Sequence, residues 1–173
     1  MAGSLIKIDE EIVTSAVNSI SLTGIDSTYD VYMVAYHSTN ADATLGLTLR
    51  VLESGTPNTS ANYDFAYKIL LNNSSFVNQA GTNNTSLSPD SVTTSSLYKG
   101  QALIYIYNAN NSGEYTFFTI EQGKSTGVNA MEGKQGGGVF TVASSVNGVQ
   151  IGVVNNPSNN LTGGTFTLYG LAK

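Results

Sequence analysis

His37 is the only imidazole in a chain of 173 residues that contains no cysteine, so a zinc site of several histidines or thiolates cannot be assembled within one copy. A hydrolytic triad could be drawn on paper from His37, one of 20 serines and Asp30 or Asp42. No G-x-S-x-G turn is present to present the nucleophile, so this set follows from composition alone. Gly123, Lys124, Ser125 and Thr126 spell the end of a phosphate-binding loop. That loop requires a second glycine five residues upstream, where this chain has Phe118, and a helix to follow, where a strand is expected. Glycoside hydrolysis needs two carboxyl groups about 5–10 Å apart. Glu114 and Glu121 bracket a candidate strand and would stand ~23 Å apart at strand rise. Asp9, Glu10 and Glu11 read as a solvated sheet edge. A calcium site from Asp26, Asp30 or loop carbonyls stays open, although no spaced EF-hand loop occurs.

Charge narrows the partners. With 12 acidic against 7 basic residues and a net charge of -5, the chain lacks the clustered cations that nucleic-acid binding requires. No window approaches the ~18 apolar residues of a membrane span, and Met1 to Ile12 carries no export signal. Ser, Thr, Asn and Gly number 20, 19, 18 and 18, which leaves few of the long side chains that helices favour. The length suits one domain, 1–173, large enough to bury a core without disulfides.

The elements follow from periodicity. Leu45, Leu47, Leu49 and Val51 share one parity with Thr48 and Arg50 on the other, as in a half-buried strand; Leu52 breaks the polar side. Tyr29 to His37, Ala102 to Tyr107 and Tyr115 to Ile120 are apolar on both parities, as strands covered on two sides would be. The last two flank Asn108 to Gly113 and read as a hairpin. Asn147 and Gly148 are expected to form a type I′ turn between strands Gly138 to Ser145 and Val149 to Val154. Gly163 and Gly164 should turn into a final strand, Thr165 to Leu171. Near the N-terminus two strands are expected, about Leu5 to Val13 and Val17 to Leu22, whereas Tyr63 to Leu71 fits a strand or a short helix. Two polar tracts, Asn72 to Ser96 and Gln122 to Gly138, read as long surface loops. The sum is an all-β chain, an antiparallel β-sandwich of jelly-roll-like type.

Ten tyrosines suit interfaces and sugar-stacking platforms, because each ring buries apolar area while its hydroxyl still needs a partner. The doubly apolar strands mark Tyr29, Tyr32, Tyr36, Tyr105, Tyr107 and Phe118 as the expected contact between copies. The two polar tracts make Asn83, Asn84, Lys124 and Asn129 the expected partner-facing or host-facing residues. No catalytic residue, cofactor or metal is expected.

Ser19 to Tyr36 (SISLTGIDSTYDVYMVAY), Leu49 to Tyr67 (LRVLESGTPNTSANYDFAY), Tyr105 to Phe118 (YIYNANNSGEYTFF) and Gly163 to Leu171 (GGTFTLYGL) together resemble structural proteins of tailed bacteriophages, including marine and cyanobacterial phages. The likeness covers most of the chain and departs in 72–98 and 122–137. It implies a non-enzymatic virion component, made in the host cytoplasm and placed on a head, neck, tail or fibre. Its partners would be copies of itself, with a trimer the expected symmetry, other virion proteins and a host-surface glycan. The alternatives are a lectin-like carbohydrate-binding module and, third, a polysaccharide depolymerase.

Overall fold

A computed structural model describes residues 4–73, 75–127, 130–153 and 155–172. Among them the chain forms fourteen strands and no helix: β1 (Leu5–Val13), β2 (Ser19–Thr23), β3 (Val31–Ala41), β4 (Leu45–Gly46), β5 (Thr48–Glu53), β6 (Thr56–Pro57), β7 (Tyr63–Leu71), β8 (Phe76–Asn84), β9 (Ser91–Val92), β10 (Gly100–Tyr107), β11 (Thr116–Gly127), β12 (Ala130–Phe140), β13 (Val146–Gly152) and β14 (Leu161–Leu171). An eight-stranded sheet runs β1-β14-β3-β10-β11-β12-β7-β8, a four-stranded sheet β2-β13-β5-β6, and β4 pairs with β9. Every pairing is antiparallel.

The pairings nest. Strand β1 lies beside β14, β2 beside β13, β3 beside β10, and the innermost pair is β5 with β6. The β11/β12 hairpin and β7/β8 then widen the larger sheet beyond this nested set.

One continuous core joins both sheets: Leu22, Leu49, Val51, Val149 and Ile151 from the smaller meet Tyr32, Val34, Tyr36, Ile104, Phe118, Phe166 and Leu168 from the larger. Strand β10 shows the cause, since its residues alternate between buried Gly100, Ala102, Ile104 and Ile106 and their outward neighbours. Burial of this apolar surface supplies most of the favourable free energy. The acidic Asp9, Glu10 and Glu11 do fall on an edge strand, where a register shift between Lys7 and Asp9 interrupts the pairing. Asp9 is also anchored there, accepting hydrogen bonds from the Thr23 amide (2.7 Å) and hydroxyl (3.2 Å).

Several expectations need correction. Asn147 and Gly148 make no hairpin turn. They lie inside β13, which belongs to the smaller sheet, whereas β12 belongs to the larger. The pairing with β5 is bulged there, between Val146 and Gly148. The glycine is needed for space: a Cβ there would meet the Leu22 carbonyl oxygen and come within 2.9 Å of Leu52 Cδ1. Leu52, which broke the polar alternation, is therefore buried over this glycine. Gly163 and Gly164 likewise lie within β14, at register shifts against β3.

The two polar tracts are not long loops. Residues 76–84 form the edge strand β8, whose side chains are mostly exposed; an edge strand with little to bury needs few apolar residues, which is why its composition resembles a loop. The second tract is the β11/β12 hairpin. Its glycines admit close neighbours, since a Cβ on Gly138 would stand 2.6 Å from Leu87 Cδ2.

Gly148→Ala is expected to destabilise the fold by about 2–3 kcal/mol through overpacking. Gly46→Ala, where an added Cβ meets nothing within 4 Å, should leave the melting temperature unchanged or slightly raised. Thermal melts of the two variants check the pair.

Candidate functional surfaces

The outward face of the larger sheet follows from register. Tyr105 stands between Met33 and Thr119, Tyr107 between Val31 and Phe117, and Leu103 between Ala35 and Glu121. These rows place aromatic and aliphatic side chains side by side on the surface opposite the core. Phe117 keeps 46% of its area exposed and the neighbouring Tyr115 45%. Where Gly123 pairs with Gly133, missing side chains leave a trough of about 590 Å³, walled by Leu70, Leu103 and Met131 with His37, Gln101 and Glu121 at its rim. Neither glycine is demanded by packing. An added Cβ would lie 4.0 Å from its nearest neighbour at Gly123 and 3.6 Å at Gly133.

The expected contact residues therefore divide. Tyr105 and Tyr107 point outward. Tyr32, Tyr36 and Phe118 are buried between the sheets and are unavailable to another copy, because their parity on β3 and β11 faces the chain's own core. Tyr29 is half-buried, edge-on to Tyr32 with ring centroids 5.7 Å apart. A strand apolar on both parities has one face in its own core, and the sequence did not say which.

Lys124 is a larger correction. It is buried on β11, in ion pairs with Asp90 (3.3 Å) and Glu132 (3.3 Å), and its side chain is only 3% exposed. Its ammonium also donates to the Ser91 hydroxyl. The Asp90 side chain is fully buried, accepts from the Ser91 amide at 2.6 Å, and receives the Tyr36 hydroxyl at 3.5 Å. Burial pushes Asp90 up to about 6, against the opposing pull of Lys124. Burial also lifts the Tyr36 phenol well above its ordinary range, with the Asp90 charge adding to the effect. Lys134 lies on the same inner face, donating to the Ser88 carbonyl at 3.1 Å, with its ammonium 5.1 Å from the Tyr67 ring; burial lowers its pKa. The segment carrying Ser88, Asp90 and Ser91 is thus held over the widened part of the sheet by two buried lysines.

Sequence reasoning missed Asp90 and Glu132. Lys124 did carry a signal: it shares the parity of Phe118, Ile120 and Gln122, all of which face inward. The expected strand, Tyr115 to Ile120, stops short of it. Asp90 and Glu132 carried none, because their meeting depends on pairing across the sheet.

The remaining sites stand apart. Asn83 is exposed in β8 with a left-handed backbone, φ +55°, and its amide donates to Asp64 at 2.7 Å. Asn84 is half-buried and donates to the Tyr63 carbonyl at 3.4 Å, so neither sits at a loop tip. Asn129 lies outside the described residues. His37 is exposed within β3 and shares a hydrogen bond with the Ser38 hydroxyl at 3.3 Å. Glu114 accepts from the Asn108 amide at 2.8 Å, while Asp26 accepts from the Thr28 amide (2.8 Å) and the Tyr32 hydroxyl (3.0 Å). Among the described residues no three His, Cys, Asp or Glu side chains are grouped to hold a metal ion, and no helix is long and apolar enough to cross a membrane. No protein-family model matches the chain, and no curated protein matches it.

Proposed function

We propose that the chain is a non-enzymatic structural protein of a tailed-bacteriophage particle that works by assembling with copies of itself. The observation that carries this reading is the outward face of the larger sheet, where Leu103, Phe117 and Tyr115 remain exposed beside Tyr105 and Tyr107. A contiguous apolar and aromatic surface of this kind suits a protein interface. The nested pairing of β1 with β14, β2 with β13, β3 with β10 and β5 with β6 supports a jelly roll, an architecture used by capsid and lectin domains. The phage-like segments noted in the sequence supply the particle.

Light scattering at micromolar concentration should report an oligomer, with a trimer as the expected state. Phe117→Glu should shift it to monomer while leaving the circular dichroism spectrum unchanged, because the altered side chain is outside the core. Mass spectrometry of purified particles should find the chain. A monomeric wild-type protein that is absent from particles would end the proposal. The trough over Gly123 and Gly133 favours a second reading, a carbohydrate-binding module, for which a glycan array with wild type and Gly133→Leu is the test.

A further inference from the structure

We propose that Lys124 and Asp90 are a self-crosslinking pair: the Lys124 amine condenses with the Asp90 side-chain carboxyl, with Glu132 carrying the proton, to form an isopeptide bond within the chain. The geometry comes first. Lys124 Nζ is 3.3 Å from Asp90 Oδ1 and 3.3 Å from Glu132 Oε1. The amine is thus held directly against the carboxyl group whose carbon it would attack, with the second carboxylate in hydrogen-bond reach. All three side chains are confined: Asp90 is fully buried, Lys124 3% exposed and Glu132 18%.

The reacting form of the pair is the one in which a proton has passed from the ammonium to the Asp90 carboxylate, giving an amine as nucleophile and an acid as electrophile. The raised pKa of Asp90 agrees with that direction. The Ser91 amide (2.6 Å) and the Tyr36 hydroxyl (3.5 Å) both donate to the Asp90 carboxyl, and donors so placed stabilise negative charge developing on oxygen as the carbon becomes tetrahedral. Lys134 is engaged elsewhere, with the Ser88 carbonyl, so one amine is aimed at this carboxyl.

The step balances without an external reagent. Lys124 Nζ bonds to Asp90 Cγ, Glu132 takes a proton from the nitrogen and delivers it to the departing hydroxyl, and the Cγ–O bond breaks as water leaves. Glu132 ends as the carboxylate it began as, and nothing is oxidised or reduced. The product joins β11 covalently to the segment beside β9. It would give a cysteine-free chain the loop closure that a disulfide gives elsewhere. The inference does not depend on where the protein works.

The test is the intact mass of the purified, folded full-length chain. The expected mass is lower than that of the sequence by one water. Trypsin should then fail to cut after Lys124 and should release peptide 69–99 joined to 100–134, with the branch located by fragmentation between Asp90 and Lys124. Lys124→Arg and Glu132→Gln should each show the full sequence mass and yield separate peptides. Wild-type protein of full mass after prolonged incubation in the folded state overturns the proposal. So does a water loss that maps elsewhere, such as a succinimide. Because both readings come from wild type, neither depends on a variant folding.

Discussion

Leu47→Asp should yield no folded protein at neutral pH. Leu47 has no exposed area and belongs to the core shared by the two sheets. It sits between β4 and β5, where its amide donates to the Asp90 carbonyl at 2.9 Å. An aspartate there would either bury an uncompensated charge or force the segment out of the core, at a cost of several kcal/mol. Domains of this kind hold only about 5–15 kcal/mol in total. Leu97→Asp is the matched control, since the same chemical change falls on a side chain that is 82% exposed. Urea titration of both variants decides the matter. Equal midpoints would mean that the core has been misplaced.

Relative to Lys124→Arg, which keeps the cation but cannot form the amide, Lys124→Met removes one partner from the buried charge cluster and should cost about 3–5 kcal/mol at neutral pH, as the loss of one member of a buried ion pair does. The penalty has a pH signature. Asp90 is raised from 3.8 in the unfolded reference to about 6 in the fold. The folded state therefore binds a proton in the interval where the unfolded state has lost it. Stability contributed by protonated Asp90 is present at low pH and is lost as pH rises from about 4 through about 6. Lys124 lowers the folded pKa, so its removal moves the titration upward and extends the loss to higher pH. The deficit of Lys124→Met relative to Lys124→Arg should consequently be smaller at about pH 5 than at about pH 8. Chemical denaturation at the two pH values checks this, and a deficit independent of pH would show that Asp90 does not carry the charge.

Local pattern was a sound guide wherever a strand has one face to bury. The alternation of Leu47, Leu49 and Val51, the bounds of β1 and the β10/β11 hairpin were legible because period-two burial writes itself into adjacent residues. It failed where composition and role separate. The polar β8 looks like a loop because an edge strand exposed on most positions has no apolar requirement. Asn147-Gly148 looks like a turn because the dipeptide suits one, whereas its glycine serves here to leave space for Leu22 and Leu52. Lys124 looked like a surface cation because lysine usually is one, and only the inward parity of β11 spoke against it.

The amino-acid order alone determined the class of the fold, the absence of thiols to staple it, and most strand positions, since these depend on neighbours a few residues away. The tertiary structure decided which face of each doubly apolar strand is core, which strands belong to which sheet, and that Asp90, Lys124 and Glu132 meet. Those outcomes rest on pairings between residues distant in the chain, where hydrogen-bond register and the layering of two sheets, rather than any local preference, fix what touches what.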